Sequence, residues 1–148
     1  MIDSLENAKE ELKRIDHLIY VTLKYTRTVD VLMSVIERMI NCYEFLIEAM
    51  VRKEIHDRKI EEAPGNPIAK ANLVLEIHTS KLLKQNIEKY LMFRKLRRVA
   101  HSKSNEFRRH VTMETVVDDE SIRVDIDSIT EDFHELKKVV EYVEKLVK

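Results

Sequence analysis

Glycine occurs once in this 148-residue chain, at Gly65, and proline twice, at Pro64 and Pro67, so the strong backbone breakers all fall within residues 64–67. Sheets joined by tight hairpins draw heavily on such turn residues, and a chain this poor in them is steered towards helices. Ala63-Pro64-Gly65-Asn66-Pro67 is therefore the clearest boundary in the sequence. Gly65 is expected to take the positive φ of a tight turn or a helix exit. Asn66 is expected to cap the helix that follows, with Pro67 in the first turn, where the missing N–H has no intrahelical partner to lose.

Apolar residues recur at intervals of three and four on both sides of that boundary, the mark of amphipathic helices. Leu5, Ala8, Leu12, Ile15 and Ile19 share one face of a first helix, with Ser4 as its expected N-cap. Val31, Val35, Ile36, Met39, Ile40, Tyr43, Leu46, Ile47 and Met50 give a second helix a broad apolar face suited to the middle of a bundle. A single helix through both would be far longer than compact domains use. A break is expected near residues 25–28, where Thr26 or Thr28 can cap and Asp30 falls in the first turn. A third helix is expected from about residue 67 to about residue 100, with re-capping at Thr79-Ser80 left open.

After His110 the period falls to two. Val111, Met113, Thr115 and Val117 form one alternating run and Ile122, Val124 and Ile126 another, around Asp118-Asp119-Glu120-Ser121. The pattern predicts a hairpin over about 110–127, which must pack on the helices or pair with another chain, because an isolated hairpin is marginal in water. Ser128-Ile129-Thr130-Glu131 reads as a capping box for a last helix with Ile129, Phe133, Leu136, Val140, Val143 and Val147 on one face. The expected fold is mainly α: one domain over residues 1–148, an up-and-down bundle of four to five helices with a short β-hairpin before the last.

Formal net charge is −1, so bulk charge argues for neither nucleic acid nor membrane. Cys42 is the only cysteine, which excludes an intrachain disulfide and a multi-cysteine zinc site. No apolar run reaches membrane-spanning length and the N-terminus lacks a signal-peptide pattern, so a cytoplasmic protein without a membrane partner is expected. His101 and His110 do not have the spacing of a zinc helix, and the single glycine excludes a phosphate-cradling glycine-rich loop. Neither a metal nor a cofactor is expected.

Charge is nevertheless separated along the chain. Arg94, Lys95, Arg97, Arg98, Lys103, Arg108 and Arg109 place seven cations within residues 94–110 against one acid, Glu106. Residues 118–135 reverse the sign, with eight acids against Arg123. If the third helix continues to about residue 100, Arg94, Arg97 and His101 share an arc with Leu83, Ile87 and Tyr90. Met92, Phe93, Leu96, Val99 and Ala100 lie opposite. If that opposite face is buried, the cations form a solvated ridge; if the Leu83–Tyr90 stripe is buried, they point into a groove or interface. Guanidinium holds phosphate oxygens in a bidentate fork, and imidazole can exchange a proton near neutral pH, so the pair suits phosphodiester chemistry.

An Arg, six intervening residues and a His late in a long helix, as in Arg94 to His101, preceded by the amphipathic stretch Ile40–Ala49, resembles the HEPN superfamily. The resemblance implies a helical bundle, a homodimer and, in active members, a metal-independent ribonuclease whose two protomers pool their motifs. RNA would then be cleaved by attack of its 2′-hydroxyl on the adjacent phosphate. His101 would transfer protons, Arg94 would hold the phosphate, and Arg97, Arg98, Lys103, Arg108 and Arg109 would track the RNA backbone. Lys95 stands where the family often carries Asn, Asp or His. Many members are inactive binding or dimerising modules. The second expectation is accordingly a non-catalytic homodimer or protein-binding module, its cations paired with the acidic 118–135 segment of the same chain or of its mate.

Overall fold

In the computed structural model, which describes residues 1–148, α1 (Ile2–His17) starts directly after Met1, so Ser4 lies in its first turn and not at its cap. The helix runs on through a π-helical turn, Leu18–Thr22, and a short helical turn, Leu23–Tyr25. The break then falls within the expected residues. Thr28 is extended, and its hydroxyl accepts from the Val31 N–H at 3.3 Å, opening α2 (Val29–His56) with Asp30 in the first turn. Leu32, Ile36, Met39, Ile40 and Leu46 of α2 are fully buried, and this helix packs against every other helix, α1 most extensively.

The exit from α2 uses Arg58 in the left-handed region (φ 60°), while Gly65 has no positive φ and open space where a side chain would sit. The positive φ expected of Gly65 is thus not used, whereas Asn66 caps as expected: it is extended and its Oδ1 accepts from the Ala69 N–H at 2.8 Å, with Pro67 opening α3 (Pro67–Ile77). His78 then breaks the helix in extended conformation. The Ser80 hydroxyl accepts from the Leu83 N–H at 3.2 Å and starts α4 (Lys81–Leu96). The third helix of the sequence reading is therefore two helices, re-capped at Ser80, and it stops at Leu96 instead of continuing to about residue 100.

The hairpin is present within a slightly larger sheet. β1 (His101–Ser104), β2 (Thr112–Val117) and β3 (Glu120–Asp125) form an antiparallel sheet in that order, with Ser104 opposite Thr112 and Val117 opposite Glu120. β1 is almost entirely exposed and polar, which is why no alternation marks it in the sequence. The β2–β3 connection is two residues, Asp118 and Asp119, both left-handed (φ 51° and 66°). Aspartate tolerates that conformation better than most residues, so a tight hairpin is made here without glycine. Val111, Met113, Thr115, Val117 and Val124 are buried where β2 meets α4 and α2 and β3 meets the last helix, α5 (Ile126–Val147), which removes the marginality of a lone hairpin.

β3 runs straight into α5, so the capping box lies three residues ahead of the expected one. The Asp125 carboxylate accepts from the Ser128 N–H at 2.8 Å, and the Ser128 hydroxyl accepts from the Asp125 N–H at 3.0 Å. Ile129, Phe133, Leu136, Val140, Val143 and Val147 are buried as their spacing predicts. One contiguous core of 36 buried apolar residues draws on all five helices and on β2 and β3. No helix is long and apolar enough to cross a membrane.

Candidate functional site

Leu83, Ile87 and Tyr90 of α4 are buried, and so are Phe93 and Leu96 from the opposite arc. That rotation turns Arg94 inward towards α2, leaving its side chain 15% exposed. Its Nη1 donates to Glu44 Oε2 at 2.5 Å, and the Tyr90 hydroxyl donates to the same oxygen at 2.7 Å. The guanidinium also lies 5.8 Å from the Tyr90 ring centroid. Burial, reinforced by the Glu44 carboxylate, pushes the Tyr90 hydroxyl well above its usual range, so it remains a donor. Beside it the buried Tyr43 hydroxyl donates to Asn86 Oδ1 at 2.7 Å, and Asn86 Nδ2 donates to the Leu82 carbonyl at 2.9 Å.

The rest of the basic stretch is largely paired. Arg97 reaches Glu37 at 3.5 Å, Lys103 reaches Asp30 at 3.3 Å, Lys95 reaches Asp118 at 2.5 Å and Arg109 reaches Asp127 at 2.6 Å. Arg98 and Arg108 are exposed and make no ion pair. Only Lys95 and Arg109 use the acidic 118–135 segment. The other three cations use Asp30, Glu37 and Glu44, which recur every seven residues along α2. Seven residues is close to two helical turns, so these acids form one stripe. That spacing was available in the sequence and is the signal a reading centred on residues 118–135 passes over.

His101 does not share a helical face with Arg94, because α4 has ended. It is the first residue of β1, opposite Thr115, and its ring is partly buried with Nδ1 lacking any hydrogen-bond partner. No hydrogen bond joins it to Arg94. The loop beyond β1 is pinned to the start of α2: Glu106 Oε2 accepts from the Val29 N–H at 3.2 Å, and the Phe107 N–H donates to the Arg27 carbonyl at 2.6 Å. Asn105 and Phe107 are both left-handed (φ 54° and 65°), and Phe107 is 75% exposed. No group of three or more His, Cys, Asp or Glu side chains is gathered as metal ligands.

A second polar cluster lies across the bundle and was not singled out by spacing. His78 Nε2 is 3.3 Å from Glu54 Oε1, and its Nδ1 is 3.2 Å from the Tyr142 hydroxyl, so α2, the α3–α4 junction and α5 meet at one imidazole. Cys42 is buried, its thiol donating to the Ala8 carbonyl at 3.4 Å, and burial pushes its ionisation far above the usual thiol range, which removes it as a nucleophile. Compared with known proteins, the chain matches no family model, no curated protein and no solved structure.

Proposed function

We propose that this chain is a non-catalytic helical homodimer that serves as an interaction module. The observation that carries the reading is the neutralisation of its basic stretch from within. Five of the seven cations in residues 94–110 face an acid of the same chain, and the one that a catalytic role would need most, Arg94, is held by Glu44 in a mostly desolvated position. A phosphate would have to displace that carboxylate and leave it unpaired, a costly exchange in a partly buried setting. The exposed pairs are worth only about 0–1 kcal/mol each, so they set the local field more than they hold the fold.

The surface proposed for a second copy is built on exposed aromatic side chains near the start of α2. Tyr25 is 83% exposed, and the loop pinned to Arg27 two residues later presents Phe107, with Tyr20 and Val21 also exposed on the preceding turns. Large exposed aromatic side chains are common interface anchors. Phe107 is a bulky residue in a left-handed conformation, a strain that persists only because Glu106 and the Phe107 N–H fasten the loop. Sedimentation equilibrium at micromolar concentration is expected to return a dimer, and Tyr25→Asp/Phe107→Asp a monomer with an unchanged circular dichroism spectrum. A monomeric parent chain overturns the homodimer.

His101 favours a second reading, a HEPN-like metal-independent ribonuclease. Native structures rarely leave a buried ring nitrogen unpartnered, and a composite site would give Nδ1 its partner from the other protomer or from RNA. Single-stranded RNA incubated in EDTA separates the two. The first reading expects intact RNA with the parent chain. Cleavage that disappears in Arg94→Ala/His101→Ala establishes the second.

A further inference from the structure

A groove of about 790 Å³ lies between α1 and α2, apart from Arg94 and His101. Beneath it is Glu11, 5% exposed. Its carboxylate accepts from Arg14 Nη1 at 2.9 Å and from Arg38 Nη1 at 3.3 and 3.4 Å. One buried acid therefore holds two guanidiniums, one from each helix, and the three groups keep a net positive charge. Arg14 and Arg38 line the groove and are about half exposed, so the donors not used by Glu11 remain accessible; each guanidinium has five. Lys13 and His17 stand beside them. The wall also carries two acids: Glu10 pairs with Lys13 at 3.2 Å, which cancels that ammonium, and Glu37 pairs with Arg97 at 3.5 Å, so the unbalanced charge is that of Arg14 and Arg38 over Glu11.

We propose that this groove binds a phosphate-bearing small molecule of nucleoside-phosphate size, with its phosphate held between Arg14 and Arg38. Two guanidiniums fixed side by side match the paired oxygens of a phosphate, and Glu11 pays their ordering cost before any ligand arrives. The groove volume falls in the range of small-ligand sites, about 300–1,000 Å³. Eight of its ten lining residues are polar or charged, and Leu18 and Met33 offer an apolar surface for one ring. Leu18 also opens the π-helical turn, and such turns within helices frequently occur at functional sites.

The test is calorimetric titration of the purified chain with ADP, inorganic pyrophosphate and adenosine, at low salt and at about 0.15 M salt. ADP and pyrophosphate are expected to bind saturably, more weakly at the higher salt, and adenosine not to bind. Arg14→Gln/Arg38→Gln is expected to weaken ADP binding by about tenfold or more, and Lys84→Gln, at an exposed cation of α4 outside the groove, to leave it unchanged. Because the double Gln variant strands Glu11, Arg14→Lys/Arg38→Lys keeps the charge and removes only the bidentate fork; it is expected to fold, by circular dichroism, and still to bind ADP several-fold more weakly. No saturable binding up to millimolar ADP and pyrophosphate, adenosine binding as tight as ADP, or parent-like affinity in the folded Lys variant would each overturn the site. Binding is read here without reference to oligomeric state or RNA, so this result and the homodimer result stand or fall separately.

Discussion

Glu44 Oε2 takes hydrogen bonds from both Arg94 and the Tyr90 hydroxyl, and so determines what either group is free to do. Glu44→Ala leaves a guanidinium and a phenol without their partner in a mostly desolvated position, at an expected cost of about 1–3 kcal/mol in urea unfolding. Asp132 offers a prediction with a defined sign. Its carboxyl is raised above the ordinary aspartate value mainly by burial, which the Lys89 ammonium 3.6 Å away only partly offsets. The folded chain therefore holds that proton more tightly than the unfolded chain does. Ionisation costs stability above the raised value, and the cost disappears once both states are protonated. Asp132→Asn is expected to raise the melting temperature at about pH 7 and to leave it unchanged at about pH 3. An equal gain at both would mean that the carboxyl is not paying for its burial.

Ser80 shows how an element boundary reverses the expected effect of one substitution. In an unbroken helix over 67–100 it would be a mid-helix residue, and Ser80→Ala would be mildly stabilising on propensity alone. As the cap of α4 it satisfies the Leu83 N–H, so Ser80→Ala is expected to cost about 1 kcal/mol in chemical denaturation. Other boundaries have similarly local explanations. Thr28, Asn66 and Asp125 each turn one side-chain oxygen onto a backbone N–H of the turn they open, and the first two are legible because threonine and asparagine there precede apolar periodicity. Asp125 lies inside an alternating run that marks it as strand, because strand and helix share a junction with no intervening loop. β1 left no trace in the pattern because only one of its faces is even partly covered, at His101.

For the molecule as a whole, the pairing of its charges sets how it can meet a polyanion. With Arg98 and Arg108 the only cations of residues 94–110 outside an ion pair, that stretch can neutralise about two phosphates of single-stranded RNA. The expected slope of log affinity against log salt is then no steeper than about −1.4. A slope several times larger in fluorescence anisotropy titrations would show that the internal pairs open to RNA, and would favour the ribonuclease reading. The amphipathic faces, the hairpin and the breaks near residues 28 and 66 follow from the sequence alone, because periodicity and capping act between residues a few positions apart, whereas the break at Ser80 stays open there. The inward turn of Arg94 onto Glu44, the seven-residue acid stripe of α2 against the basic stretch, and the pair of guanidiniums gathered by Glu11 do not. Each joins side chains on different helices, and which of them meet depends on how every helix is rotated and how far it runs, and packing against the shared core decides both.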